Sequence, residues 1–297
     1  MFRSTPTPGT DAVAAVAAPF GRDVDTCLAQ IERALARARK RGAKLVVFPE
    51  AALGGYLWEP RVEGAPGPTP KPQTLLREGE EIGRLSRIAG ETIVCVGYSE
   101  AARGGPYSSA VCVNGDGILG HQRKVHLPPG EREAFSPGEG FTAFDTPLGR
   151  MGMLICYDKL FPEASRELAL DGAGLIASLS AWPVSRRSPA SRIRRDTQVR
   201  HFNLLDQARA IENQVVWVSS NQTGSFGQLR FPGQAKVVDP DGRVLAATGA
   251  RAGTALARLD ISKAIEAARS GISHLGDRRP LSYAGAAAPG RTATAAA

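Results

Sequence analysis

The chain has 297 residues, 42% of them hydrophobic and 22% charged, with a formal net charge of +8. This is the balance of a globular protein, and a chain of this length buries enough apolar surface to fold without a disulfide or a metal. No apolar run approaches the roughly 18–20 residues of a membrane span. The basic excess comes without a helix-turn-helix, zinc finger or RNP-type aromatic motif, so neither a membrane nor a nucleic-acid partner is expected.

The stretch Asp11–Ala18 reads as a first strand, not as an export signal, because it is short and lacks a cleavage pattern. A cytoplasmic location follows as the default. Thr26–Arg41 is an amphipathic helix with Leu28, Ile31, Leu35 and Ala38 on one face; Asp23 or Asp25 can cap its start and Gly42 suits its end. Lys44–Phe48 is a short, almost wholly apolar strand, as expected where both faces are covered. Leu57–Pro72 is Pro- and Gly-rich and aperiodic, a long loop of the kind that often forms a lid. A helix over Glu78–Ala89 and a strand over Thr92–Tyr98 follow. Ser109–Val113 and Gly117–Arg123 then form a hairpin around Asn114-Gly115-Asp116-Gly117.

The second half repeats this alternation. Met151–Ile155 is a strand, Glu163–Asp171 a helix, Leu175–Leu179 a strand and Ser180–Thr197 a Pro- and Arg-rich loop. A helix from about Arg200 to Glu212 leads into the strand Val215–Ser219. A hairpin joins Lys236–Asp239 to Arg243–Ala246, and Ala255–Asp260 and Ser262–Ser270 read as a late strand and helix. No linker interrupts the alternation, so residues 1–282 are expected to form one α/β domain, with 283–297 as an Ala/Gly/Pro/Thr-rich disordered tail.

The cysteines are Cys27, Cys95, Cys112 and Cys156, with no CxxC pair and no zinc-like spacing. Free thiols in a reducing compartment fit best. Cys95 and Cys112, inside apolar runs, are expected to be inert core residues. The arginines 186, 187, 192, 194, 195 and 200 crowd one segment. They suit a solvated or interface loop, or a basic rim that attracts an acidic substrate.

Three polar residues stand where apolar strands end: Glu50 after Leu45–Pro49, Lys124 after Gly120–Arg123, and Cys156 after Met153–Ile155. Carboxyl ends of strands are where open α/β sheets place ligands. Singly, these residues could be a solvated carboxylate, a surface cation and a core thiol. Together, from about Ala12 to Asp260, they resemble the nitrilase (carbon-nitrogen hydrolase) superfamily. Phe48-Pro49-Glu50-Ala51-Ala52-Leu53-Gly54-Gly55-Tyr56 is similar to its glutamate motif, Arg123-Lys124-Val125-His126-Leu127 to its lysine motif, and Cys156-Tyr157-Asp158-Lys159-Leu160-Phe161-Pro162-Glu163 to its nucleophile motif. Ala208–Asn213, followed by an apolar strand and Asn221, is also similar. Two departures are Val16-Ala17-Ala18-Pro19, where many members carry a Gln near Ala17, and the C-terminal tail.

The resemblance implies a four-layer α-β-β-α sandwich, assembly as a homodimer or higher homo-oligomer, and no metal or organic cofactor. It implies Cys156 as nucleophile, Glu50 as general base, and Lys124 with the backbone N–H of Tyr157 as oxyanion donors, one such donor being worth about 2.7–4 kcal/mol of barrier. Glu131, seven positions after Lys124, matches the family's second glutamate; Glu133 is the alternative, and so is a solvated loop carboxylate. His126 invites a Cys–His pairing, but the superfamily's base is a glutamate, and a structural role suits it better.

Substrate contacts are expected on Tyr56 to Pro60, Glu131 to Phe135, Ala181-Trp182-Pro183 and Asn221 to Phe226. Tyr56 and Asn221 join them as candidate binders, and Trp182 is the candidate aromatic wall, with a core or interface Trp as the alternative. The substrate implied is a small amide or an N-carbamoyl amine. A nitrile is the third possibility, because narrow-sense nitrilases carry Trp-Glu after the cysteine where this chain has Tyr157-Asp158. A catalytically silent oligomeric scaffold is the competing class, against which the presence of Glu50, Lys124 and Cys156 argues.

Overall fold

A computed structural model describes residues 9–57, 71–280 and 282–283. Most of the loop expected over Leu57–Pro72, including Pro60, and the tail beyond Tyr283 lie outside them. In chain order the elements are β1 (Asp11–Ala18), α1 (Val24–Arg39), β2 (Ala43–Val47), α2 (Glu80–Ala89), β3 (Ile93–Ala102), β4 (Gly105–Asn114), β5 (Gly117–Arg123), β6 (Phe144–Thr146) and β7 (Gly149–Ile155). A 3-10 turn (Cys156–Leu160), α3 (Pro162–Leu170), β8 (Leu175–Ser180), α4 (Thr197–Asn213), β9 (Val216–Phe226), β10 (Leu229–Pro232), β11 (Lys236–Val238), β12 (Val244–Ala247), β13 (Gly253–Leu259) and α5 (Ile261–Arg269) follow.

The strands run in the order β5-β4-β3-β2-β1-β9-β8-β7-β6. The sheet folds over at β1 and β9, which pair only through Ala17–Asn221 and Ala18–Gln222. One half then faces the other, β3 against β8 and β4 against β7. Side-chain alternation sorts the residues into layers. Val13, Ala15, Ile93, Cys95, Ala110 and Cys112 meet Met151, Met153, Ile155, Leu175, Ala177 and Val218 between the halves. Ala14, Val16, Val94, Val96, Val111 and Val113 point outward under Leu28, Ile31 and Leu35 of α1 and Ile82 and Leu85 of α2. Leu154, Ile176 and Trp217 do the same under Leu168 of α3 and Ala210 of α4. The result is the α-β-β-α sandwich. It explains why the central strands are apolar without a break: each is covered on both faces.

Caps set the helix boundaries. Asp23, not Asp25, caps α1 by accepting from Thr26 N at 2.8 Å, while Asp25 binds Arg84 at 2.6 Å. The helix α4 starts at Thr197, three residues ahead of the expected Arg200, because buried Asp196 accepts from Gln198 N at 2.9 Å. Asp196 also gathers the preceding Arg-rich loop through Ser185 N at 3.1 Å, leaving arginines 186, 187, 192, 194, 195 and 200 exposed. The segment Asn221–Phe226, expected to contact substrate beyond a strand ending at Ser219, is the second half of β9. It stays extended because β10, a strand too short to stand out in the sequence, pairs with it from Thr223 to Phe226.

Candidate active site

The ends of β2, β5 and β7 open into one buried chamber. Glu50 follows β2, Lys124 follows β5 and Cys156 follows β7. Glu50 is 1% exposed, Lys124 and Glu131 are fully buried, and Cys156 is 6% exposed. Lys124 Nζ donates to Glu50 Oε1 and to Glu131 Oε1, each at 2.7 Å. Glu131 Oε1 also accepts from the Tyr56 hydroxyl. Its other oxygen, Oε2, is buried and has no hydrogen-bond partner among the described residues.

Glu50 is held on every side. Its Oε2 accepts from Ala181 N, just past β8, at 2.8 Å. Its Oε1 also accepts from Ser108 Oγ on β4 at 3.3 Å, and its backbone carbonyl accepts from Gln222 Nε2 at 3.0 Å. Beneath it, β3 passes so close that a Cβ on Gly97 would lie 2.5 Å from the Glu50 Cα. Only glycine fits there.

Cys156 has φ 50°, a left-handed conformation that an ordinary residue rarely adopts. It is the corner between β7 and the 3-10 turn. The corner is braced by Asp158, whose Oδ2 accepts from Ile155 N at 3.2 Å and whose Oδ1 accepts from His126 N at 2.9 Å. His126 Nδ1 lies 3.0 Å from the same oxygen, and its ring stacks 3.6 Å from that of Phe161. His126 therefore ties the Lys124 segment to the Cys156 segment.

The charges interact through a buried interior. Burial, then the nearby Glu50 carboxylate, pushes the Cys156 thiol well above its usual range, while Lys124 pulls the other way. Burial works against the Lys124 ammonium, but Glu131 and Glu50 outweigh it and raise its pKa. Burial and the charge of Glu50 raise Glu131 to about 7 against the pull of Lys124. One ammonium between two carboxylates thus makes a site in which a proton is easily held or released near neutrality.

Cys156 and Glu131 stand on the wall of a cavity of about 320 Å³, with Tyr56, Tyr157, Trp182 and Leu229 around them and Arg186 and His201 among its lining. Asn221, expected beside the substrate, is not among the lining residues. It braces the wall, accepting from Trp182 N at 2.8 Å and donating to Trp182 O at 3.2 Å. Both of its polar ends are used, so it acts through Trp182. Ser108 went unrecognised in the sequence, and Ala181 and Gln222, within segments expected to contact substrate, instead hold Glu50, because small polar residues and backbone groups carry no signal of such a role until strands are paired.

Residues 12–269 match the family model described as carbon-nitrogen hydrolase, and the chain belongs to that family. Curated relatives match it over most of its length. It is 33% identical over 224 residues to a nitrilase of Pyrococcus abyssi, with 74% of this chain and 78% of that protein covered. It is 34% identical over 261 residues to an (R)-stereoselective amidase of a Pseudomonas species, covering 87% and 88% of the two chains. It is 30% identical over 279 residues to the N-carbamoylputrescine amidase of Solanum lycopersicum, covering 88% and 89%. The protein is accordingly an enzyme of the carbon–nitrogen hydrolase class.

Proposed function

We propose that this enzyme hydrolyses a small amide through a thioester on Cys156, releasing a carboxylic acid and ammonia or an amine. The observation that carries this reading is the ion-paired cluster of Glu50, Lys124 and Glu131 beside a small cavity whose wall holds Glu131 and Cys156. Glu50 takes the thiol proton, and Sγ attacks the amide carbon. The carbonyl oxygen becomes an oxyanion, which the Lys124 ammonium and the Tyr157 N–H stabilise. The Tyr157 N–H stands in the first positions of the 3-10 turn, where such groups lack partners within the turn. Protonated Glu50 gives its proton to the departing nitrogen. Water enters, Glu50 takes one of its protons, and the resulting hydroxide attacks the thioester. The thiolate leaves, regains its proton, and the acid departs. One water is consumed for each C–N bond broken.

Glu131 holds Lys124 and orients the substrate. Its Oε2, without a partner among the described residues, suits an amide N–H, which a nitrile does not have; that favours an amide over a nitrile. An N-carbamoyl amine also offers an N–H and remains the second reading, supported by the similarity to the tomato enzyme. The homodimer or larger oligomer belongs to the same reading; Leu170, Leu204 and Ile211 leave apolar surface exposed on α3 and α4, and light scattering tests it.

The experiment is a screen of small amides, N-carbamoyl amines and nitriles for ammonia or amine release, with intact-mass detection of an acyl adduct on Cys156. Cys156→Ala is expected to abolish turnover with the fold intact, and Glu50→Gln to reduce it nearly as far. Substantial hydrolysis by Cys156→Ala would remove the thioester from the mechanism.

A further inference from the structure

Three residues past Cys156 the same turn carries Lys159, which no step above uses. Its side chain is fully buried. Nζ donates to Asp206 Oδ1 at 2.8 Å and to Ser219 Oγ at 3.4 Å, and lies 3.5 Å from the centre of the Phe202 ring. Asp206, on α4, is shared. It also accepts from Trp217 Nε1 at 2.9 Å and from Lys236 Nζ of β11. Lys236 is 3% exposed and lies 4.2 Å from the centre of the same phenyl ring. Two ammonium groups thus share one carboxylate in a sealed compartment, with an excess positive charge when both are protonated.

Such a cluster is a poor device for stability. A buried ion pair is often replaced by packed apolar side chains at no loss, and a second cation on the same carboxylate adds desolvation cost without a second partner. Burial lowers the pKa of both lysines, that of Lys236 to about 8, and Asp206 opposes it. The cluster's position suggests its use. Arg209 of α4 donates to the carbonyls of Lys159 and Leu160 at 2.9 and 3.0 Å. The nucleophile's turn is therefore fixed to α4 through its backbone and through the Lys159 side chain. Lys159 Nζ is also 5.7 Å from the centre of the Trp182 ring, which lines the cavity with Cys156. Both groups are buried, so the ammonium and the sulfur feel each other's charge.

We propose that Lys159, held by Asp206 together with Lys236, is a positioning residue for the nucleophile: it locks the turn at Cys156 and places a sealed positive charge behind the thiol that favours its anion. When Glu50 takes the thiol proton, the negative charge moves from its carboxylate onto Sγ, before attack passes it to the carbonyl oxygen. Lys124 is hydrogen-bonded to Glu50 and so also stabilises the starting carboxylate, whereas Lys159 rewards the arrival of charge on sulfur. The charged and titratable groups around Lys159 are Asp206 and Arg209 from α4, Lys236 from β11 and the Cys156 thiol on its own turn; β9 contributes the neutral Ser219 and Trp217.

This rests on Cys156 as the nucleophile, so the test reads the thiol itself. The rate of Cys156 alkylation by iodoacetamide is followed against pH by peptide mass in wild type, Lys159→Met and Lys159→Gln. Lys159→Met is expected to move the midpoint up by about half a unit or more and to lower kcat about tenfold, with KM within about threefold. Lys159→Gln keeps a donor for Asp206 without the charge and is expected to move the midpoint in the same direction. Unchanged midpoints in both variants, or in Lys159→Gln alone should Lys159→Met fail to fold, overturn the proposal. A Cys156→Ala protein that still turns over would defeat the thioester reading instead, a separate outcome of a separate variant.

Discussion

At the scale of single residues the site depends on where a few protons and charges sit. Lys124 reaches two carboxylates at 2.7 Å from a fully buried position. A guanidinium is planar and longer, so Lys124→Arg keeps the charge but misplaces the donors. A displacement of about 1 Å can cost on the order of a hundredfold in rate, and steady-state kinetics should show a loss of that order; a near-normal kcat would take Lys124 out of the reacting centre. Glu131 gives a second prediction. It keeps its proton in the folded chain up to about 7, against an ordinary 4.5. Between those values unfolding releases a proton. Its contribution to stability is therefore complete below 4.5 and lost as pH rises to 7. Glu131→Gln, neutral throughout, is expected to remove that slope from unfolding curves recorded between pH 4.5 and 7 while lowering kcat. An unaltered slope would show that Glu131 is ionised in the fold at lower pH.

At the scale of elements the apolar strands and amphipathic helices were legible because each is covered on a defined face, and their periodicity records it. The errors fall where partners decide. The strand β9 runs on to Phe226 because β10 pairs with it, although Asn221–Phe226 is polar and glycine-containing. The helix α4 begins at its Asp196 cap and not where its apolar residues thicken. Gly97 is an element-scale requirement of the same kind. Its strand crosses directly under Glu50, and a methyl group there would have to occupy space 2.5 Å from the Glu50 Cα and 2.6 Å from Ala51 N. Gly97→Ala is expected to keep the fold but push Glu50 from Lys124, cutting kcat about a hundredfold. Circular dichroism with kinetics checks it, and a fully active variant would mean that β3 yields without moving Glu50.

At the scale of the whole molecule the buried charges of the second half should mark the dependence of stability on pH. Lys236 loses its proton near 8 in the folded chain but near 10.5 when unfolded. Between these values unfolding takes up a proton, so stability rises with pH, and the cost of burying the charge is greatest below 8. Lys236→Met should therefore gain stability relative to wild type at neutral pH and lose that advantage toward pH 10.5, as read by chemical denaturation. A constant difference across that window would mean that Asp206 keeps Lys236 charged in the fold.

The amino-acid sequence by itself determined the alternation of strands and helices, the apolar strands that must be covered on both faces, and three chemically distinct side chains at strand ends, because these are properties of short segments. Glu131 could be proposed only from its spacing to Lys124. The sequence could not determine that Glu50 and Cys156 meet, since β2 and β7 lie in opposite halves of a sheet closed through the two residue pairs of β1 and β9. Nor could it determine that Lys159, in a polar-looking stretch, turns inward onto Asp206 of α4 and beside Lys236 of β11. Only tertiary structure brings such groups together, and burial then gives their charges an influence that water would have screened.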